Sequence, residues 1–165
     1  MNPFFALSAA LLLAPAVVLA QSVTRVTGSA SATWAQGAGY LQIAFSCEIA
    51  SGAAGPCSGT YQATNKDVDC SNAIQIAGTF VLTGLDLSHP GPIQGGISFS
   101  NSDYSYVRNA NGTCAIVPGT GGPGSTSYTG TWDGTRGTIA SPPETDPFGN
   151  AFQTTGTFTA SSSSP

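Results

Sequence analysis

The chain has 165 residues, of which four are Lys or Arg, eight are Asp or Glu and one is His, giving a formal net charge of −4. An acidic chain with so few basic side chains lacks the cationic surface that nucleic acid or an anionic membrane requires, so we expect neither as a partner. Only 7% of the residues are charged, and the surface must therefore consist mainly of Ser, Thr, Gly, Asn and Gln.

The first segment of the chain has the layout of a signal peptide. An apolar run centred on Leu11 to Leu13 ends at Val18-Leu19-Ala20, with small residues three and one positions before Gln21. We predict that residues 1–20 are removed and that the mature protein is secreted. The run is shorter than the roughly 20 residues that cross a bilayer, so a membrane anchor is the weaker interpretation. Removing 20 of the 165 residues leaves 145, enough for one domain, predicted over residues 21–160.

The mature sequence is predicted to form a series of short β-strands. The strongest pattern runs from Tyr40 to Ile49, where apolar residues alternate from Leu41 onward, as in a strand with one buried face. Other segments alternate in the same way, and shorter candidates lie between them. The alternating segments are Ile74 to Leu82, Tyr128 to Trp132 and Phe152 to Phe158; the shorter ones are Ser22 to Thr27, Ser29 to Trp34, Gly59 to Thr64, Ile97 to Asn101, Tyr104 to Arg108 and Cys114 to Val117.

Turn residues separate these strands. Asn111-Gly112 and Asp133-Gly134 each predict a hairpin, because both dipeptides suit a tight turn with positive φ. Residues 161–165 are predicted to be a disordered tail. Loops rich in Pro and Gly are predicted at Leu87 to Gly96, Pro118 to Ser125 and Ser141 to Asn150. The fold class is therefore all-β: a single-domain antiparallel β-sandwich or small β-barrel of about ten strands.

Four segments share the form small-Gly-Thr-aromatic, and their aromatic residues are Tyr61, Phe80, Trp132 and Phe158. In a strand, the glycine and the aromatic residue two positions later lie on one face. We interpret the repeat as sheet packing, in which an aromatic ring covers a glycine of the next strand.

All four cysteines, Cys47, Cys57, Cys70 and Cys114, lie in the predicted mature part. An even number in an oxidising compartment predicts two disulfides, for which three pairings are possible. We favour Cys47 with Cys57, because they bracket a Gly-rich loop between two strands, and this leaves Cys70 with Cys114. No CxxC or HxxxH spacing indicates zinc, and we expect neither a metal nor a cofactor.

Few residues have the pattern of a catalytic site. His89 is the only histidine, and it lies in a Pro-Gly loop near Asp86 and Ser88 without a nucleophile motif. We therefore interpret it as a solvated loop residue and expect no catalytic residues.

Acidic residues offer the remaining chemistry. Asp67 with Asp69, and Glu144 with Asp146, could provide the two carboxyl groups of a glycosidase, but such pairs are typical of ordinary acidic loops. Glu48 could join either pair only if the fold brought it there.

Asn65-x-Asp67-x-Asp69 also begins like an EF-hand calcium loop. Cys70 and Ile76 then stand where that loop requires Gly and Glu, so the match fails. A looser calcium site on the first three side chains remains an alternative to a simple capped turn.

The most suggestive binding pattern lies at Tyr104, Tyr106 and Arg108, which share one face of a predicted strand, with Asp103 beside them. Aromatic rings flanked by hydrogen-bonding groups can stack on sugars or anchor a protein partner. The simpler interpretation is that the tyrosines cover the sheet edge or the core.

Asn111-Gly112-Thr113 is the one N-glycosylation sequon, at a predicted hairpin tip where an enzyme could reach it.

These patterns lead to three hypotheses of function. The first is a secreted, non-catalytic β-domain that recognises an extracellular glycan or a surface protein. The second is a structural component of a cell wall or matrix, which the low charge would suit. The third is a small secreted glycan hydrolase that uses Asp67, Asp69, Glu48 or Glu144.

Overall fold

The computed structural model describes residues 22–34, 37, 39–50, 52–100, 104–118 and 124–163, and the predicted signal peptide lies outside them. Within these ranges the chain forms twelve β-strands and no helix. The strands are β1 (Val23–Thr33), β2 (Tyr40–Ile49), β3 (Cys57–Lys66), β4 (Ile74–Thr83), β5 (Gly91–Ser100), β6 (Tyr104–Arg108), β7 (Cys114–Pro118), β8 (Ser125–Trp132), β9 (Arg136–Ala140), β10 (Glu144–Thr145), β11 (Ala151–Phe152) and β12 (Thr155–Ser163).

Eight of the strands close into one antiparallel barrel, in the order β1, β2, β3, β4, β5, β8, β9, β12. Each barrel strand pairs with the next barrel strand along the chain, and β12 returns to pair with β1, so this is an up-and-down barrel. The remaining strands form two hairpins, β6–β7 and β10–β11, inserted after β5 and after β9. The all-β prediction is confirmed. Of the two architectures that the sequence left open, β-sandwich and β-barrel, the structure has the barrel.

Strand β2 shows why the sheet closes on itself. Its bounds are those predicted from the alternation, and Gln42 and Ala44 are exposed on the outside while Cys47 and Ile49 are buried inside. An antiparallel sheet with one apolar face must bury that face. Closing eight strands into a barrel does so and gives each strand a partner on both sides over at least part of its length.

One end of the barrel, here called the closed end, is tightly packed. Cys47, Ile49 and Cys57 are at most 2% exposed, and the disulfide between Cys47 and Cys57 confirms the predicted pairing. Leu87, from the loop between β4 and β5, covers this end, and its N–H donates to the carbonyl oxygen of Ala53 at 2.9 Å. The closed end therefore carries the main hydrophobic core of the domain.

The glycine and aromatic repeat does contribute to sheet packing, as predicted. In the ladder between β3 and β4, Tyr61 lies opposite Gly78 and Phe80 lies opposite Gly59. Each ring thus has a neighbour without a side chain on the adjacent strand.

Phe158 depends most strongly on such a neighbour. It lies opposite Gly137 of β9, and its ring stacks on Trp132 with centroids 5.6 Å apart and planes 3° apart. A Cβ atom on Gly137 would lie 2.0 Å from the Phe158 ring, so any larger residue would displace that stack.

Two predicted strand boundaries are wrong. The segments Ser22 to Thr27 and Ser29 to Trp34 form the single strand β1, because Gly28 stays in the ladder and leaves room for the rings of neighbouring strands. Conversely, Phe152 to Phe158 divides into β11 and β12, because Phe152 turns towards Trp34, with ring centroids 5.0 Å apart.

The predicted loop from Leu87 to Gly96 is also wrong in its second half, since β5 begins at Gly91. Pro92 is accommodated because this half of β5 pairs only with β8, where it lies opposite Thr131. The ladder with β4 begins at Gly96. A proline without an N–H is tolerated where a strand lacks one of its two neighbours.

The disordered tail predicted for residues 161–165 is wrong for Ser161 to Ser163. These serines pair with Arg25, Thr24 and Val23 of β1. Backbone hydrogen bonding with β1 extends the strand, although the side chains bury little surface. The domain therefore continues beyond residue 160, and residues 164–165 lie outside the described part.

Both predicted hairpins are present, with turns longer than the two residues that each dipeptide predicts. Gly112 has φ 80° in the connection from β6 to β7, and Gly134 has φ 99° in the connection from β8 to β9. Asp133 stabilises the second turn, since its Oδ1 accepts from the N–H of Thr135 at 2.7 Å and from that of Arg136 at 2.6 Å.

Candidate functional site

The end of the barrel opposite the closed end contains a cavity of about 330 Å³. At this end, here called the mouth, β1, β3, β5 and β9 finish and their partner strands begin. Both inserted hairpins leave the barrel here. The apolar wall of the cavity includes Leu41, Ile43, Phe45, Ile76, Ile97 and Ile139.

The cavity results from a change in packing along the same strand face. In β2, Cys47 and Ile49 are buried at the closed end, whereas Leu41, Ile43 and Phe45 on the same face are only partly buried. These inward-facing apolar side chains pack against the core cluster and also border the cavity. The alternation of a strand fixes which residues face inward, and the cavity shows that they do not fill the barrel.

The hairpin β6–β7 is attached to the loop between β3 and β4. The disulfide between Cys70 and Cys114, here called the mouth disulfide, joins the two and confirms the second predicted pairing. Beside it, Asn72 accepts from the N–H of Cys114 at 2.7 Å and donates to its carbonyl oxygen at 2.9 Å. These links hold one side of the mouth in place.

The hairpin β10–β11 forms another side of the mouth. Asp146, which is 7% exposed, accepts from the N–H groups of Phe148 and Asn150 at 2.9 and 2.8 Å and from the Asn150 amide at 3.0 Å. The carboxylate of Asp146 is thus satisfied by hydrogen bonds from residues of its own turn. Glu144 lines the cavity and accepts from the Thr126 hydroxyl at 3.3 Å.

Three buried polar groups lining the mouth lack partners among the residues that the structure describes. Neither carboxylate oxygen of Asp67 accepts a hydrogen bond, although the residue is 1% exposed. Asn65 donates to the Tyr106 hydroxyl at 2.6 Å, but its own Oδ1 has no donor. Nε1 of Trp34, which is 2% exposed, has no acceptor. Buried polar groups are nearly always satisfied in proteins, so this cluster beside a cavity makes the mouth the candidate site.

Burial raises the pKa of Asp67 from 3.8 to about 6, and the negative charges of Asp146 and Asp69 add to the effect. Removing a carboxylate from water disfavours its charged form, and neighbouring acids do the same. Asp67 therefore titrates just below neutral pH. Perturbed acids of this kind are enriched in functional sites.

One residue of the predicted binding face of β6 reaches the cavity. Tyr106 is half-buried and lines the cavity, and Arg108 lies 3.6 Å from the Asp69 carboxylate. Tyr104 begins β6 opposite Pro118 in the ladder, while Asp103 lies outside the described residues. The structure thus brings part of this face to the rim of the cavity.

The other chemical candidates lie apart from the cavity. Glu48 is on the outer face, 2.7 Å from Arg25, and it is roughly 23 Å along β2 from Leu41 at the rise of a strand. Asp86 accepts from the N–H and the hydroxyl of Ser88. Those bonds lower the pKa of Asp86. His89 is an exposed residue of the same loop.

Asn65, Asp67 and Asp69 are the side chains on which a looser calcium site remained an alternative. In the described part of the chain, no group of three or more His, Cys, Asp or Glu residues is arranged to hold a metal ion.

Two mouth residues could not be assigned to a site from sequence. Trp34, which ends a predicted strand, is buried and its indole lines the cavity. Asp67 was interpreted as part of an acidic loop. A usable signal does exist, because Tyr61, Ala63, Asn65 and Asp67 continue one alternating inward face and change from apolar to polar along it.

No family model, curated protein or solved structure matches this chain. Within the described ranges, no helix is long and apolar enough to cross a membrane. The site is therefore defined by its own geometry: an eight-stranded antiparallel barrel with an apolar cavity and an unsatisfied polar cluster at one end.

Proposed function

We propose that this protein is a secreted binding module that holds one small, mostly apolar molecule inside its barrel. The observation that carries the proposal is the cavity of about 330 Å³ with unpartnered buried groups at its mouth. Barrels of eight strands are wide enough either to be filled by side chains or to hold one small ligand. A few polar groups on an apolar wall are also the usual composition of a ligand pocket.

Binding would be favourable for two physical reasons. The aliphatic wall gains roughly 25 cal/mol for each Å² of apolar surface that a ligand removes from water. The polar cluster gains because an unsatisfied buried group costs about 1–3 kcal/mol, which a complementary ligand atom would recover. A fitting ligand has hydrogen-bond donors for Asp67 and Asn65 and an acceptor for Trp34.

The proposal keeps the recognition role expected from the sequence but moves the ligand from an outer face to the interior. Tyr106 supports this, because its hydroxyl is within 2.6 Å of Asn65 and its side chain lines the cavity. Recognition of a glycan or protein surface, or a matrix role, would leave the unsatisfied cluster without a purpose.

Two features support secretion and glycosylation. Two disulfides are typical of domains that fold in oxidising compartments. Asn111 is exposed at the turn of the hairpin β6–β7, and its side-chain oxygen accepts from the N–H and the hydroxyl of Thr113 at 3.1 and 2.6 Å. An attached glycan would extend from this accessible turn.

A second candidate function is hydrolysis, favoured by the raised pKa of Asp67 and by Glu144 in the same cavity. A general acid with a pKa near 6 beside a second carboxylate is a known glycosidase arrangement. Turnover of a polysaccharide panel that disappears in Asp67→Asn would favour this function over binding alone.

The test of the proposed function is binding of the neutral fluorescent probe N-phenyl-1-naphthylamine. We expect its emission to rise on addition of protein and to follow a single-site curve. Ile43→Trp would fill the cavity and abolish the signal, whereas Ala44→Trp, on the outer face of the same strand, would preserve it. Both variants are first checked for cooperative unfolding. Absence of a signal with the unmodified protein, or an undiminished signal in folded Ile43→Trp, would overturn the proposal.

A further inference from the structure

Two of the three unpartnered groups at the mouth, Asp67 and Asn65, present acceptor atoms, and the third, Nε1 of Trp34, presents a donor. Asn65 donates from Nδ2 to the Tyr106 hydroxyl at 2.6 Å, whereas its Oδ1 accepts from no described residue. Together with the two oxygens of Asp67, it makes three buried acceptors without a donor among the described residues. A ligand must therefore bring N–H or O–H groups to this point.

The charge around these acceptors is negative. Glu144 lines the same cavity, and Asp146 and Asp69 act on Asp67 through their charges. The nearest cation on the hairpin β6–β7, Arg108, is paired with Asp69 at 3.6 Å. No Lys, Arg or His is present among the described residues that line the cavity. Lys66, between Asn65 and Asp67, alternates to the outer face of β3.

We propose that the ligand is an apolar amine, whose ammonium group is held by Asp67 and Asn65 while its hydrocarbon part fills the barrel. An ammonium group has three N–H donors and a positive charge, which match three acceptors in a negative site. An alcohol brings one donor and no charge, and a carboxylate would meet like charges. This inference rests on the proposed binding function and specifies the chemical class of the ligand.

A bare metal ion fits the site less well than an amine. Calcium takes six to eight oxygen ligands, whereas the mouth offers three unpartnered oxygens beside an aliphatic wall. An ammonium group on a hydrocarbon chain uses both the oxygens and the wall.

The site should also respond to pH. Asp67 is the group that changes charge, since its pKa is about 6, and the charges that act on it are those of Asp146 and Asp69. Glu144 and the Tyr106 phenol line the same cavity. Protonation at pH 5 leaves about a tenth of Asp67 ionised. Apparent affinity scales with the fraction of binding-competent protein, so amine affinity should fall about tenfold between pH 7.5 and pH 5.

The experiment is displacement of bound N-phenyl-1-naphthylamine by three ligands of equal chain length: octylamine, 1-octanol and octanoate. We expect octylamine to displace the probe at a concentration at least tenfold lower than 1-octanol does, with octanoate the weakest. Asp67→Asn should remove the advantage of octylamine and leave 1-octanol within about twofold. Glu48→Gln, an acid-to-amide change on the outer face, should leave all three unchanged.

The outcomes separate the two proposals. Equal displacement by all three ligands would overturn the amine assignment and leave interior binding intact. Calcium chloride that displaces the probe as well as octylamine does would also overturn it. A probe that never binds would instead remove the proposed function. If Asp67→Asn does not fold, the pH series on the unmodified protein decides, because a preference for octylamine that is unchanged at pH 5 would also contradict the assignment.

Discussion

Asp67→Asn should change how the stability of the empty barrel depends on pH. The pKa of Asp67 is about 6 in the folded protein and 3.8 for the group in water, and this difference of about two units corresponds to about 3 kcal/mol. Because the folded-state pKa is raised, the folded protein binds the proton more tightly, so stability is lost as pH rises from the lower value through the higher one. About 2.5 kcal/mol of that loss falls between pH 4 and pH 8.

The assay is urea unfolding followed by tryptophan fluorescence, at intervals between pH 4 and pH 8, in the absence of ligand. The unmodified protein should lose about 2.5 kcal/mol more than Asp67→Asn over this range, whatever fixed cost the buried amide adds to the variant. Glu48→Gln, which loses only an exposed ion pair with Arg25, should follow the unmodified protein. Parallel profiles for the unmodified protein and Asp67→Asn would refute the assignment of Asp67 as a buried, unpaired acid.

Further predictions concern packing, the mouth and modification. Gly137→Ala should cost about 1–3 kcal/mol in urea unfolding because the new Cβ meets the Phe158 ring, whereas Gly91→Ala, which meets nothing within 4 Å, should cost little; equal losses would contradict this account. Replacing both cysteines of the mouth disulfide with alanine should weaken probe binding more than it changes the far-UV spectrum, and unaltered binding would show that the hairpin β6–β7 does not shape the site. Secretion from a eukaryotic host should yield a glycosidase-sensitive mass that Asn111→Gln lacks; identical masses would contradict occupancy.

The sequence predicts the individual strands much better than their assembly. Tyr40 to Ile49 was predicted with correct bounds because its apolar alternation needs only local information. The closing ladder is different, since it joins Val23 to Ser163, and the Ser-rich segment at that end has no apolar face to reveal it. A strand stabilised by backbone pairing with a distant partner resembles a tail when the sequence is considered alone.

The candidate site was less predictable, for a physical reason. Leu41 and Ile49 follow the same alternation in β2, yet Leu41 borders the cavity and Ile49 is tightly packed. That difference depends on how many side chains converge at each level of the barrel, which is a property of all eight strands together. Asp67 likewise appears as an ordinary loop acid until the surrounding elements bury it.

The ladder between β1 and β12 has a kinetic consequence. It is the seam of the barrel, and it joins residues 140 positions apart at the Ser163 hydroxyl and the Val23 carbonyl, whereas consecutive strands can pair as local hairpins. Contacts so distant in sequence are slow to form, so the ladder between β1 and β12 should be the last one of the barrel to form. A ligand would then be enclosed only after this ladder has formed. A bound ligand would stabilise the closed barrel and lengthen the lifetime of the folded state.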